Sequence, residues 1–200
     1  MSLQFEITTD RQLLKQYFLI RERCFREELG LSGFDGSEDG WDRRSSILVA
    51  REGATVVGGM RITGRHPHLP QLLPIEDEGL TLQQVLPQLE LSHHAYCQWS
   101  RLAILPDYRT TGTLRQFCAE MIDTSRELGY AFSFLVAGMN RSRLYKRLYS
   151  VLGYGYEILD GVKIPIEEGF NGLPHLLSVG YLDPDQARAT PANLILPQVA

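Results

Sequence analysis

A short polar loop near the middle of the chain carries residue types that hold a phosphate group. A stretch at 96–105 with aromatic and β-branched residues precedes it, and apolar residues recur at helical spacing from Leu114 up to Gly129, so we predict a strand, a loop and a helix that starts at Leu114. N–H groups at the start of such a helix, together with its dipole, favour an anion. The loop residues predicted to bind it are Arg109, Thr110, Thr111, Gly112, Thr113 and Leu114. An ordinary connection in an α/β domain would show the same pattern.

The remaining patterns predict the elements that would position this loop. Before it we predict a strand at 5–8, a helix at 13–29 with a capping box at 9–12, and a Gly- and Asp-rich loop at 31–42. A hairpin of 46–50 and 54–62 follows, with a bulge or a close backbone approach at Gly58-Gly59, and then an insertion at 66–94 with a short helix at 80–89. After it we predict a strand at 131–137, a helix at 140–152 capped by Asn140, and a hairpin of 154–159 and 162–166 around Asp160-Gly161. This order indicates the α/β (α+β) class, a mixed central sheet flanked by helices.

Length and composition favour one globular domain. The chain has 200 residues, which we divide into a domain at 1–182 and a tail at 183–200 that is rich in Pro, Ala and Asp. A net charge of −4 argues against a general nucleic-acid binder, and no apolar run is long enough to cross a bilayer. The start lacks a signal-peptide pattern, and the three cysteines lack metal-like spacing. We therefore expect a cytoplasmic protein with free thiols and no metal site.

The polar loop resembles a known phosphate-binding motif. Residues 109–114 are similar to the Arg/Gln-x-x-Gly-x-Gly/Ala loop of the GCN5-related N-acyltransferases, although Leu114 stands where that family has Gly or Ala. The resemblance implies the fold of that family, in which the strand backbone around Leu102 and Ile104 pairs with a pantetheine arm. It also implies that the loop amides hold a phosphate of acyl-coenzyme A or acyl-phosphopantetheine, a cosubstrate rather than a tightly bound cofactor.

Four further motifs resemble one branch of that family, the autoinducer synthases and N-acyl amino acid synthases. In chain order they are Arg21-x-x-x-Phe25, Asp39-Gly-Trp41-Asp42, Gly59-Met-Arg61 and Gln98-Trp-Ser-Arg101. The resemblance implies that Arg21, Phe25, Asp39, Trp41, Asp42 and Arg61 bind the acceptor and that Gln98 and Arg101 belong to the catalytic set. Gln98 replaces the usual Glu, and Leu31 replaces an aromatic residue of the autoinducer synthases. The second departure argues against S-adenosylmethionine as substrate and favours the amino acid synthases.

The charged residues of these motifs have two interpretations. If Arg21, Arg61, Arg101, Asp39 and Asp42 converge, they could pin the acidic loop to the sheet, or they could grip the carboxylate and ammonium of an amino acid. Both can hold at once. Because Gln98 cannot take a proton, any general base would be a water molecule, Asp39 or His94.

A tyrosine is the candidate acid of the same resemblance. Tyr149-x-x-x-Gly153-Tyr154 is similar to the Tyr-x-x-x-Gly-Phe of the broad family, where the hydroxyl lies near the thioester sulfur. Tyr149 is therefore predicted to be catalytic. Tyr145, one helical turn earlier, competes for this role, and both rings could instead pack in the core.

A basic cluster on the predicted helix at 140–152 bears on the identity of the acyl donor. Arg141, Arg143, Lys146 and Arg147 could dock an acidic acyl carrier protein, bind the adenosine phosphate of coenzyme A, or form a solvated face. The predicted function is transfer of an acyl group, fatty by preference, from a carrier-protein or coenzyme A thioester to the amine of an amino acid or similar small molecule. The alternatives are an acyl-homoserine lactone synthase that uses S-adenosylmethionine and an acyl-thioester-binding module without turnover.

Overall fold

The computed structural model describes residues 3–69, 71–165, 170, 172–173 and 175–183. Within these ranges seven strands form one sheet in the order β1-β2-β3-β4-β5-β7-β6. The strands are β1 Gln4–Ile7, β2 Ser46–Glu52, β3 Thr55–Arg65, β4 Tyr96–Ile104, β5 Phe132–Ala137, β6 Gly155–Leu159 and β7 Leu176–Tyr181. Among these described strands, β4 and β5 pair in parallel and the other neighbours pair antiparallel. The predicted mixed sheet flanked by helices is confirmed.

Helices cover both faces of this sheet. The described helices are α1 Arg11–Arg23, α2 Pro74–Asp77, α3 Leu82–Val85, α4 Thr111–Glu127 and α5 Met139–Leu152. Apolar residues of α1 pack with Ile47 and Val49 of β2, and we call this side the α1 face. Residues of α4 and α5 pack with Leu48 and Trp99 on the opposite side, the α4–α5 face. Strand side chains alternate between the two faces.

The first helix differs from its prediction at both ends. Its N-cap is Asp10, whose carboxylate accepts hydrogen bonds from the N–H groups of Gln12 (2.7 Å) and Leu13 (3.1 Å), rather than Thr9 of the predicted capping box. Asp is as good an N-cap as Thr, and its own N–H donates to the Thr8 hydroxyl at 3.1 Å. The α-helix ends at Arg23 and continues as a π-helical turn, Cys24–Glu28. A single π turn inside a helical run often marks a functional site.

The insertion between β3 and β4 is less helical than predicted. The helix expected at 80–89 is one turn, α3, followed by a 3-10 turn at Pro87–Leu89, because Pro87 lacks the N–H that would continue an α-helix. Apolar side chains of the insertion pack over Tyr96 and Phe134. Its buried Glu76 carboxylate accepts hydrogen bonds from Arg65 (3.0 Å) and from the Tyr96 hydroxyl (3.1 Å). These contacts hold the insertion against the sheet.

The predicted C-terminal hairpin is wrong in its second strand. Asp160-Gly161 does form a turn, with Gly161 at φ 85°, but β6 pairs with β7 rather than with 162–166. Residues 162–165 have no regular structure, and Ile166 lies outside the described residues. Asn140 lies inside α5, whose N-cap is Gly138. The predicted tail at 183–200 lies outside the described residues except for Asp183, so its boundary stays a prediction.

Candidate active site

The two central strands separate halfway along β4. Pairing with β5 runs from Tyr96–Phe132 to Trp99–Leu135, whereas β4 continues to Ile104 beside β3. At the separation Arg101 has φ 60°, and the β3–β4 register shifts between Gly59 and Arg61. This shift lies next to Gly58-Gly59, where the sequence predicts a bulge or a close backbone approach. A non-glycine residue with positive φ is uncommon and is often found at functional sites. The split leaves a gap in the middle of the sheet.

A cavity of about 370 Å³ occupies this gap. It is lined from the α4–α5 face by apolar residues such as Met121 and Leu148, and from the α1 side by Phe25, Trp41 and Ile75. The backbone stretch 98–104 of β4 runs along it, including Leu102 and Ile104. An apolar cavity with a few polar groups is typical of a small-molecule site. Its position between both faces lets one ligand from each side meet at β4.

The first turn of α4 reaches this cavity through Leu114, which is one of its lining residues. The helix begins at Thr111 rather than at Leu114, because the Thr110 hydroxyl caps it by accepting a hydrogen bond from the Thr113 N–H at 3.1 Å. Within the described part of the chain, the N–H groups of Thr111 and Gly112 have no hydrogen-bond partner. A Cβ added at Gly112 would meet nothing closer than the Thr110 hydroxyl at 3.8 Å, so the corner is open. Phosphate binding there stays a prediction.

Arg109 lines the cavity, but its side chain is already paired with other residues. Its Nε donates to the Ile104 carbonyl oxygen at 2.8 Å, and its Nη2 donates to a Glu28 carboxylate oxygen at 2.8 Å. The hydrogen bond from Arg109 lowers the pKa of Glu28. The side chain therefore ties the π-helical turn to the end of β4. To contact a phosphate as predicted, Arg109 would have to exchange Glu28 for the ligand.

Four of the predicted acceptor-binding residues form an ionic network that is buried except at Asp39. Arg21 donates to both oxygens of Asp42 at 2.9 Å, and Arg61 donates to Asp39 at 2.8 Å and to Asp42 at 3.3 Å. Burial acts to raise the pKa of Asp39, but the Arg61 guanidinium and the Asp42 N–H outweigh it and lower that pKa. The structure thus brings these residues together, but none of the four is among the described residues that line the cavity. Their geometry favours pinning the acidic loop.

Arg101 lies apart from this network and does line the cavity. Its guanidinium lies over the rings of Phe170, Phe34 and Phe25, at 4.9, 5.4 and 5.9 Å from their centroids. Its carbonyl oxygen accepts a hydrogen bond from the Tyr17 hydroxyl at 2.8 Å. Cation–π contacts of this kind fix the position of a guanidinium. Arg101 is therefore a charge held at the cavity wall.

Gln98 and Ser100 present polar groups from β4 to the cavity. The Gln98 Oε1 accepts a hydrogen bond from the Ile75 N–H at 3.0 Å, and the Ser100 hydroxyl accepts one from the Arg61 Nε at 3.0 Å. A backbone N–H can only donate, so this contact fixes which end of the Gln98 amide is oxygen. Its Nε2, which has no partner among the described residues, is left as a hydrogen-bond donor at the wall.

The two candidate tyrosines are separated by the structure. Tyr145 lines the cavity, and burial, with Cys118 and Tyr156 nearby, raises its pKa, so the phenol stays protonated. Tyr149 does not line it in the described structure: its side chain is fully buried, its hydroxyl lies 2.7 Å from the Ser133 hydroxyl, and its ring packs against Tyr156 at 4.9 Å. The geometry therefore favours Tyr145 over Tyr149 as a group that meets a ligand.

Of the histidines and of the basic cluster, only some members line the cavity in the described structure. His94 packs on Phe132 with ring centroids 5.5 Å apart and is not among the described cavity residues, whereas His175 is. Sequence reasoning missed His175, because no motif marks it and only the pairing of β7 with β5 brings it to the site. In the basic cluster, Arg141 lines the cavity and the other three side chains are exposed on α5.

No group of three or more His, Cys, Asp or Glu side chains in the described part of the chain could hold a metal ion. No described helix is long and apolar enough to cross a membrane.

Comparisons with known proteins agree with this architecture. A family model described as an acetyltransferase (GNAT) domain matches residues 20–119, half of the chain. Similar solved structures include the AHL synthase LasI (18% identity, TM-score 0.60, covering 99% of both chains). The N-acyl amino acid synthase FeeM from uncultured soil microbes is also similar (10% identity, TM-score 0.58, 95% of this chain and 99% of that one).

A third similar structure carries ligands. It is the CoA-dependent acyl-homoserine lactone synthase BjaI with SAM and isopentyl-CoA (16% identity, TM-score 0.60, 94% of this chain and 86% of that one). At these identities the three likenesses establish a shared fold. No curated protein sequence matches the chain.

Proposed function

The chain belongs to the GNAT acetyltransferase family, and we propose that it moves an acyl group, fatty by preference, from a pantetheine thioester to the amine of an amino acid or similar small molecule. The observation that carries this proposal is the cavity at the β4–β5 split, which is lined from both faces of the sheet. A thioester can enter from the start of α4 while an amine approaches from the α1 side. The reacting atoms then meet beside β4.

The donor side of the cavity suits a long apolar chain. Leu114, Phe117, Cys118 and Met121 of α4 line it, together with Leu148 of α5. The open N–H groups at Thr111 and Gly112 would hold a phosphate of the carrier arm. Arg141 lies at the wall and the other three basic residues are exposed nearby on α5, an arrangement that suits either coenzyme A or an acidic acyl carrier protein. The similar structures of BjaI, a CoA-dependent acyl-homoserine lactone synthase, and FeeM, an N-acyl amino acid synthase, support the same class of reaction.

The reaction needs few groups from the protein. The amine nitrogen attacks the thioester carbonyl carbon, the C–N bond forms, and the C–S bond breaks. The nitrogen loses one proton to a base, and the departing thiolate takes up one proton, so the products are an amide and a free thiol. The Tyr145 hydroxyl is placed to donate a hydrogen bond to that sulfur, and a water molecule or His175 would accept the amine proton. The free, buried thiols of Cys24, Cys97 and Cys118 support a cytoplasmic setting.

Turnover of acyl thioesters tests the proposal directly. The protein is incubated with acyl-coenzyme A or acyl carrier protein of increasing chain length and with a panel of amino acids, and free thiol and N-acyl product are measured. We expect thiol release that depends on the acceptor, with an N-acyl amino acid found by mass spectrometry. Thioester binding without thiol release would favour a binding module. A lactone formed from S-adenosylmethionine would favour the homoserine lactone synthase.

Gln98→Glu is expected to weaken use of acceptors that carry a carboxylate. The carboxylate of the new side chain can still accept the Ile75 N–H but replaces the Nε2 donor with a negative charge. We expect KM for an amino acid to rise about 10- to 100-fold, since a charge-assisted hydrogen bond contributes about 1.5–3 kcal/mol. KM for the corresponding amino acid amide should change much less.

A matched control exists in the insertion. The Gln83 side-chain oxygen also accepts a backbone N–H, from Ser92 at 3.0 Å, but Gln83 is not among the described residues of the cavity. Gln83→Glu should leave both KM values unchanged. If Gln98→Glu raised KM equally for the amino acid and for its amide, Gln98 would not be a contact of the acceptor carboxylate.

A further inference from the structure

A second, polar pocket of about 290 Å³ lies where β2 begins and β3 ends. Its polar side chains include Arg44, Ser46, His66, Gln71 and Tyr130. Among the described residues it shares none of its lining with the candidate active site, and none of its lining residues is acidic. It is thus a separate site whose described lining is rich in hydrogen-bond donors and carries no negative charge.

Arg44 supplies the positive charge of this pocket. Its Nε donates to the Gly40 carbonyl oxygen at 3.1 Å, and its guanidinium lies 4.2 Å from the centroid of the Trp41 ring. These two contacts fix the guanidinium plane. Within the described part of the chain its two terminal nitrogens have no hydrogen-bond partner. A planar, pre-positioned guanidinium is well suited to bidentate contact with a carboxylate or phosphate.

Gln71 supplies a donor that is buried and unsatisfied. Its Nε2 is shielded from solvent and has no partner among the described residues. The backbone around it is held, because the Gln71 N–H donates to the Leu69 carbonyl oxygen at 2.7 Å and Leu69 donates to His66 at 3.1 Å. A buried donor without an acceptor is costly, and most such groups in native proteins have a partner. A bound oxygen atom would satisfy it.

The sheet makes room for a third donor, the hydroxyl of Tyr130. A Cβ added at Gly64 would lie 1.7 Å from this oxygen, so glycine at 64 lets the hydroxyl sit against β3. The Tyr130 ring is braced by the His66 ring, with centroids 5.1 Å apart. Burial raises the pKa of Tyr130 to about 12, so its hydroxyl donates at neutral pH. The Ser45 hydroxyl at the same wall is already paired with Thr63 at 2.7 Å.

We propose that this pocket binds a small oxyanion, a phosphate or carboxylate group, with Arg44 as its charge and Gln71 and Tyr130 as neutral donors. The site also touches the candidate active site through one side chain, because Trp41 stacks on Arg44 and lines the larger cavity. Ligand bound to Arg44 therefore changes the surroundings of the Trp41 indole. Neither the pocket nor this link depends on the reaction proposed above.

Titration with simple anions tests the site on the full chain. Tryptophan fluorescence and calorimetry are followed as sodium phosphate or sodium acetate is added, with sodium chloride at equal ionic strength as reference. We expect saturable binding of at least one of the two oxyanions and a fluorescence change that Trp41→Phe removes. The anion that saturates identifies the group as phosphate or carboxylate.

Charge-matched variants locate the binding. Arg44→Gln should weaken the affinity at least about tenfold, as expected for loss of a charge-assisted hydrogen bond, and Gln71→Leu should weaken it by a smaller factor. Arg43→Gln is the control, since Arg43 is exposed and lines a different groove. Phosphate bound at the start of α4 would be insensitive to Arg44. Equal weakening by Arg43→Gln and Arg44→Gln, retained affinity in Arg44→Gln, or absence of saturable binding would each overturn the proposal.

Discussion

Replacing Asp42 by asparagine is expected to lower the free energy of unfolding by about 3–5 kcal/mol. The Asp42 carboxylate lies between two arginines, 2.9 Å from Arg21 and 3.3 Å from Arg61, and the three side chains are each about 1% exposed. Asparagine keeps the shape but removes the charge, which leaves Asp39, itself 37% exposed, as the remaining carboxylate of the network. Breaking a buried pair strands a charge in a medium that solvates it poorly. Urea unfolding, with midpoint and slope, measures the loss.

Glu27→Gln provides the comparison for this prediction. Glu27 pairs with Arg23 at 3.3 Å, but both side chains are more than half exposed. Exposed ion pairs contribute little to stability, so the free energy of unfolding of Glu27→Gln should differ from that of the parent protein by less than about 0.5 kcal/mol. If Asp42→Asn cost no more than Glu27→Gln, the network would not pin the acidic loop. A direct role in acceptor binding would then become the better explanation of these residues.

Local patterns were sufficient to predict most of the sheet and the strand–loop–helix unit at its centre. The error at the start of α4 shows where they fail. Thr111-Gly112-Thr113 has poor helix propensity, so the pattern placed the start at Leu114, whereas the Thr110 cap allows the helix to begin three residues earlier. The consequence is functional, because the unpaired N–H groups then fall at Thr111 and Gly112 rather than beyond Leu114.

Pairing between distant strands could not be predicted in the same way. Asp160-Gly161 is a good hairpin turn, and a turn forms there, yet β6 pairs with β7, an apolar strand seventeen residues later that also pairs with β5. A turn signal reports the local backbone and not which strand is available. The same pairing brings His175 to the cavity, so that residue could not be identified from spacing.

The sequence identified the residue types of the site but not the direction in which each side chain points. The sequence grouped Arg21, Arg61, Arg101, Asp39 and Asp42 as one cluster. In β3, Arg61 pairs across from Ile47 and Ser100, which places it on the α1 face beneath the acidic loop. Arg101 follows the bulge at positive φ, so its side chain leaves that pattern and reaches the cavity. A bulge that redirects one side chain is a tertiary feature, which a motif does not encode.

Tyr145→Phe is expected to lower the rate of acyl transfer about 10- to 100-fold. The phenol lies at the cavity wall beside the proposed path of the thioester, and its raised pKa keeps the proton available for a hydrogen bond to the departing sulfur. A hydrogen bond to a charged group contributes about 1.5–3 kcal/mol, which corresponds to this factor in rate. The measurement is the single-turnover rate of thiol release at saturating acceptor. KM for the acceptor should change little, because the contact forms mainly as charge develops on the sulfur.

Tyr149→Phe separates catalysis from packing. Loss of the Tyr149 hydroxyl leaves the Ser133 hydroxyl without its partner at 2.7 Å, so we expect the free energy of unfolding to fall by about 1 kcal/mol. The rate of acyl transfer should stay within about threefold of that of the parent protein. The two variants remove the same atom from tyrosines one turn apart on α5, so a general effect on the helix would appear in both. A large rate loss in Tyr149→Phe with none in Tyr145→Phe would return the role to Tyr149. It would also require the core around Ser133 to open when the thioester binds.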